Sequence, residues 1–261
     1  KRADSTYPYR YLAGCGVAFK LIHALSSLAE AMRYIDLIAI GTITDIVPLL
    51  GENRVIAHMG LKKLRNNASA GVAALARAAG ISLPEISSFG IGFGLGPRIN
   101  AAGRMDTAET AIEILTAGKQ GPALSQSVAQ LCTLNERRRQ EVCDILADAE
   151  KMIAAHGYQT DPAILLADKR WNAGVIGIAA AKLAEKYYRP CVLFGGEGDL
   201  IGSARSVPGV NIYEALGAFA DSYEKFGGHA QAAGLTIRPE RLNSLRADVC
   251  AYIRAHYDEA A

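Results

Sequence analysis

The sequence predicts an α/β protein built as two α/β lobes joined by a long helix. Three observations carry this expectation. Residues 124–156 keep a helical pattern and contain neither Pro nor Gly. At 1.5 Å per residue such a helix would reach roughly 50 Å, long enough to link two domains or wrap around one. Before it, residues 35–41 (IDLIAIG) form a short apolar run ending in Gly, the signature of a buried strand in a parallel sheet. After it, four short apolar segments alternate with helical patterns, as in a second α/β unit of about 100 residues.

Taken in order, Leu12, Val17, Phe19, Leu21, Ile22, Leu25 and Leu28 space a largely buried helix over residues 12–33. The strand at 35–41 is followed by Thr42-Ile43-Thr44-Asp45-Ile46-Val47-Pro48, which would lie at the strand's carboxyl end, where open α/β sheets bind ligands. Helical patterns follow near 54–65, 70–79 and 106–117. Beyond the long helix, 162–168, 190–194, 200–206 and 231–237 read as strands, and 174–187, 211–225 and 239–256 as helices. The division expected is 1–122, a connecting helix 123–157, and 158–261.

With 261 residues and half of them hydrophobic, the chain can bury one large core or two ordinary ones. The formal charge of +2 neither demands nor excludes nucleic acid, so any phosphate binding falls to local arginine clusters. The five cysteines form no CxxC pair, which suits reduced, mostly buried thiols in the cytoplasm. No apolar run is long enough for a membrane span. The opening Lys1-Arg2-Ala3-Asp4 has no initiator Met and no signal-peptide pattern, and reads as a cut end.

Six groups of residues could carry chemistry. Asp45 could ligate a hard or borderline cation such as Mg²⁺ or Mn²⁺, or serve as a helix cap. Gly96-Pro97-Arg98-Ile99-Asn100-Ala101-Ala102-Gly103-Arg104 sets two arginines and an asparagine among small residues. Either a nucleic-acid backbone approaches there, or two helices pack tightly and the arginines are solvated. Gly202-Ser203-Ala204-Arg205-Ser206 flanks a guanidinium with two hydroxyls at the end of a strand, good equipment for a phosphodiester. In Phe226-Gly227-Gly228-His229 a Gly-Gly turn would aim backbone N–H groups at an anion while His229 donates to a phosphate, in the same site as Arg205. The alternative is a plain turn. Trp171-Asn172-Ala173-Gly174 opens a helix that Asn172 can cap. Arg137-Arg138-Arg139, mid-helix, suits a solvated face or a contact with DNA.

These clusters, in this order, resemble the RecJ-type single-strand-specific exonucleases of the DHH phosphoesterase family. The pattern runs through YLAGCGVAFKL (11–21), IGTITDIVPLLGENR (40–54), LGPRINAAGRMD (95–106), WNAGVIGIAAAKLAE (171–185), GSARS (202–206) and FGGHAQAAGLTI (226–237). The resemblance implies the C-terminal part of a catalytic DHH domain, the connecting helix and a DHHA1 domain. It implies 5′-to-3′ hydrolysis of single-stranded DNA with two divalent metals, Mn²⁺ or Mg²⁺, in DNA repair and recombination. Single-strand-binding protein or a helicase would be partners, and no membrane is involved. Asp45 would be a catalytic metal ligand and His229 a further catalytic group. Arg98, Asn100, Arg104, Ser203, Arg205, Ser206, Gly227, Gly228 and His229 would hold the DNA. The family's aspartate-rich motifs and Asp-His-His triplet do not occur in these residues, and its Trp-His-Pro-Gly is Trp171-Asn172-Ala173-Gly174. The metal site is therefore expected to be completed elsewhere, leaving this chain alone inactive. Two other readings remain: a DHH–DHHA1 oligonucleotide or cyclic-dinucleotide phosphodiesterase, and a non-catalytic single-strand-binding module.

Overall fold

A computed structural model describes residues 5–257, so the Lys1–Asp4 opening lies outside the described residues. The chain divides into two compact units, Lys1–Glu136 and Arg137–Ala261.

The described part of the first unit is helical throughout. It contains α1 (Gly14–Leu25), α2 (Leu28–Met32), α3 (Ile35–Thr44), α4 (Gly51–Asn67), α5 (Ala70–Ala78), α6 (Gly96–Met105), α7 (Glu109–Thr116) and the first half of α8 (Pro122–His156). The strand expected at 35–41 is thus helix α3. Ile35, Asp36, Ile38, Ala39, Ile40, Thr42 and Ile43 are all buried, so the helix is enclosed on every side. An enclosed helix shows no apolar period, and a continuous apolar run cannot separate it from a buried strand. Helix α4 crosses α3 at Gly60, where a Cβ would stand 2.1 Å from the Ala39 Cβ and 2.7 Å from the Ile35 carbonyl oxygen. The buried Asp36 carboxylate is paired with Lys63 of α4, Nζ to Oδ1 2.8 Å.

The single buried helix expected over 12–33 is two helices. Ser26 caps the end of the first and Ser27 the start of the second, the Ser27 hydroxyl accepting the Glu30 N–H at 3.1 Å. Val17, Leu21, Leu25 and Leu28 are exposed. The patterns at 54–65, 70–79 and 106–117 correspond to α4, α5 and α7. Residues 88–105 form a helix that the sequence concealed, with a π-helical stretch (Gly90–Leu95) leading into α6. Four alternate glycines and Pro97 read as breakers. Ile91 and Leu95 are fully buried there, in a core with Leu64, Leu75, Ile114 and Leu131.

Helix α8 carries the chain from the first unit into the second without interruption, matching the unbroken pattern at 124–156. The second unit holds every strand found among the described residues, in a five-stranded sheet of order β1-β2-β3-β5-β4. The strands are β1 (Ile164–Ala167), β2 (Cys191–Gly195), β3 (Leu200–Arg205), β4 (Lys225–His229) and β5 (Ala232–Ile237). The β1–β2 pair is parallel and the others antiparallel. Helix α9 (Ile176–Tyr187) packs on β2 and β3. On the opposite face, α10 (Ile212–Gly217) and α11 (Leu242–His256) close a core with Ala204, Ala233, Leu235 and Ile237. The helix expected over 211–225 stops at Gly217. Strand β4 follows at Lys225, so Gly227, Gly228 and His229 lie in an edge strand and not in a turn. A Gly-Gly pair signals a turn from sequence alone. Here a Cβ on Gly228 would stand 2.4 Å from the Ala232 carbonyl oxygen, a contact that explains the glycine without a turn. The two-residue turn is Ala230-Gln231.

Candidate functional site

Directly opposed residues of neighbouring strands point to the same face of a sheet, and residues two apart along a strand share that face. The register therefore builds one surface from three rows. Arg205, Ala232 and His229 form one row, Ser203, Gly234 and Gly227 the next, and Ile201, Thr236 and Lys225 the third. Ala232, Gly234 and Gly227 form a low floor, with guanidinium, imidazole, ammonium and hydroxyl groups standing around it. Gly227, His229, Lys225 and Gly234 are exposed, while Ser203 and Arg205 are half-buried. Lys225 was not singled out from the sequence. Its spacing of two and four from Gly227 and His229 was the available signal, hidden because those residues were read as a turn.

The site's polar atoms are partly arranged already. Arg205 Nη1 donates to Ser203 Oγ at 3.0 Å and to the Ala204 carbonyl at 2.8 Å. The guanidinium lies under the first turn of α9. A Cβ on Gly177 would stand 2.7 Å from Ser203 Oγ and 2.8 Å from Arg205 Nη2, so a glycine is what lets this pair fit below the helix. His229 Nδ1 accepts the Gln231 N–H at 3.3 Å, which in the neutral ring places the proton on Nε2. Ser206 stands apart from the group: its hydroxyl donates to the Val210 carbonyl at 2.7 Å and secures the loop after β3.

Asn172 does not cap α9 by its side chain. Its Oδ1 accepts the Gly174 N–H at 2.9 Å, its Nδ2 donates to Glu141 Oε2 at 3.0 Å, and the helix begins later, at Ile176. Trp171 is buried. Along α8, Arg137 and Arg139 are exposed and Arg138 is half-buried.

In the first unit, Asp45 is the C-terminal cap residue of α3, its N–H bonded to the Gly41 carbonyl at 3.0 Å, followed by Ile46 in the left-handed region at φ 55°. The loop beyond a strand that the sequence predicts for it is therefore a helix end. Asp45 and Asn100 line one cavity of about 380 Å³ with Cys15, Gly41 and Thr44. Thr44 Oγ1 is buried in the α3–α6 contact with no hydrogen-bond partner. Asn100 and Arg104 are exposed on α6. Arg98 is half-buried and turned back on its own helix, Nη1 donating to the Gly94 carbonyl at 2.8 Å.

Asp45 brings one carboxylate. Among the described residues no group of three or more His, Cys, Asp or Glu side chains could hold a metal ion. Two-metal hydrolysis needs ligands around both ions, so these residues do not by themselves fit a two-ion centre. Also among the described residues, no helix is long and apolar enough to cross a membrane.

Residues 160–255 match the DHHA1 domain family. The single-stranded-DNA-specific exonuclease RecJ of Bacillus subtilis is 40% identical over 250 residues, covering 94% of this chain and 31% of that protein. The Haemophilus influenzae protein of the same name is 34% identical over 258 residues, covering 90% and 45%. The crystal structure of RecJ in complex with Mn²⁺ from Thermus thermophilus superposes with a TM-score of 0.85 at 32% identity, covering 97% of this chain and 38% of that one. The chain thus spans less than half the length of each of these three relatives. The chain is a RecJ homologue across nearly all of its own length, and residues 160–255 are its DHHA1 domain.

Proposed function

We propose that this chain is the strand-holding part of a RecJ-type exonuclease that hydrolyses single-stranded DNA from the 5′ end, in DNA repair and recombination in the cytoplasm. The observation that carries the reading is the sheet face on which Ser203, Arg205 and His229 surround a floor of Gly234, Gly227 and Ala232. Donors raised around a floor with nothing larger than a methyl group admit a sugar-phosphate backbone, and contacts to that backbone hold a strand without reading its sequence. In this reading residues 1–122 are the C-terminal part of the DHH catalytic domain, 123–157 the connecting helix and 158–261 the DHHA1 domain. Asp45 is one ligand of a centre for two Mn²⁺ or Mg²⁺ ions whose remaining ligands this chain does not contain. When bound, the ions would activate water and neutralise charge on the phosphate. Asn100 and Arg104 would guide DNA toward Asp45. Single-strand-binding protein or a helicase would deliver the substrate.

The test is equilibrium binding of labelled oligodeoxynucleotides to the purified chain. Single strands of different sequence should bind with similar affinity and a strong dependence on salt, and blunt duplex of equal length should bind more weakly. Duplex preference, or affinity that follows base sequence, would sink the reading.

A further inference from the structure

We propose that Phe89 and Phe93 form a stacking platform for the bases of single-stranded nucleic acid, an inference that rests on the single-strand reading above. The two rings are 70% and 73% exposed, with centroids 4.7 Å apart and planes 32° from one another. Neither ring belongs to the core of the first unit. On the opposite side of the same helix Ile91 and Leu95 are fully buried and supply the packing. The chain exposes two large aromatic faces where it already has an adequate inward face.

The setting favours nucleic acid over a protein surface. Residues 88–105 run as one continuous helix, π-helical from Gly90 to Leu95, and π-helical turns are frequent at functional sites. Phe89, Phe93, Asn100 and Arg104 all lie on this one continuous helix, and all four are exposed. Glycines at 90, 92 and 94 put no side chain against the rings, so their faces stay open. Residues 86–105, between Glu85 and Asp106, contain two arginines and no carboxylate, a local balance that attracts phosphate. Asn100, further along the same helix, lines a cavity together with Asp45. Aromatic faces interleaved with donors for the backbone are what sequence-tolerant binding of single strands requires, because every base has a π-face.

The test separates bases from phosphates. The 261-residue chain is titrated with an oligothymidylate and with an abasic oligomer of equal length and charge. Wild type should prefer the oligothymidylate. Phe89→Ala with Phe93→Ala should lose roughly tenfold or more in affinity for the oligothymidylate and nothing for the abasic strand. Phe93→Trp alone should keep the preference that Phe93→Ala alone weakens. Circular dichroism should show an unchanged fold, since the rings are exposed. An unchanged preference in the double variant overturns the platform, and so does an equal loss on both oligomers. A fall in self-association with DNA binding intact also overturns it, by making the pair a protein interface. A wild-type chain that binds neither oligomer overturns the single-strand reading and this inference with it.

Discussion

Arg205 and His229 stand on either side of Ala232 in a single cross-strand row, with their side chains on the same face of the sheet. Two strand spacings separate their backbones by about 10 Å. The Arg205 guanidinium leans along its strand toward Ser203. From sequence the two residues read as one anion site; on the proposed function, this register would space them for neighbouring phosphates. Arg205→Ala should weaken single-strand binding by about 1–3 kcal/mol and make the salt dependence shallower, since one fewer phosphate is neutralised. The losses of Arg205→Ala and His229→Ala should add to within about 0.5 kcal/mol, as for separated sites. Unchanged affinity and salt slope beside a lower Tm would make Arg205 a structural residue only.

The purified chain should not digest single-stranded DNA with Mn²⁺, because Asp45 is a single carboxylate and two-ion hydrolysis needs several ligands. Release of acid-soluble nucleotides is the assay. Metal-dependent digestion that disappears on Asp45→Ala would contradict the expectation.

Gly60→Ala should destabilise the first unit by about 1–3 kcal/mol, the cost of forcing a methyl group into a packed contact. Backbone and Ala39 leave no room for a Cβ where α4 crosses α3. Urea unfolding monitors it, and a change within error would mean that the helices separate freely.

The carboxyl of Asp168 is held below the ordinary carboxylate range by hydrogen bonds from the Arg170 side chain, Nη2 to Oδ2 2.6 Å, which outweigh the opposing effect of burial. A folded value below the unfolded one gives stability that is present above the unfolded pKa of about 3.9 and is lost as pH falls through the folded value. Asp168→Asn should therefore lower Tm slightly at pH 7, and the difference should vanish in strong acid. A difference that grows on acidification would reverse the assignment.

Thiol labelling should follow burial. Cys143 is exposed, whereas Cys191 and Cys250 are buried and their thiols pushed up by loss of solvation. Iodoacetamide followed by peptide mapping should modify Cys143 in the native protein and the buried pair only in denaturant. The sequence suggested that most thiols are buried; two of the five are, with Cys15 and Cys132 partly covered.

What was legible and what was not divides by physical cause. The long helix α8 and strands β1, β2, β3 and β5 were visible because their patterns are long or are bounded by clear breaks. Helix α3 was misread because burial all round erases the period that separates helix from strand. The helix over 88–105 and strand β4 were missed because glycine signals flexibility locally, while Gly228 is required by a close backbone contact across the β4–β5 hairpin. Asp45, Ser203, Arg205 and His229 could be picked out as residue types. That Ser203 and Arg205 share a row system with His229 and Lys225, and that Ser206 does not join them, depends on register, which only pairing defines.

Loop tips are ordinarily where a protein family accepts extra length. The tip between β4 and β5 is a poor place for it. Ala230 accepts the Ile212 N–H at 3.0 Å and Gln231 accepts the Ser206 N–H at 3.0 Å, fastening both turn residues to the end of β3 and the start of α10. One inserted residue that slipped β4 by a single position would carry His229 and Lys225 to the face occupied by Phe226, and bring Phe226 into their place. Homologues that keep the histidine should therefore keep this turn at two residues, and length variation in this unit should collect in loops that do not set a strand's register.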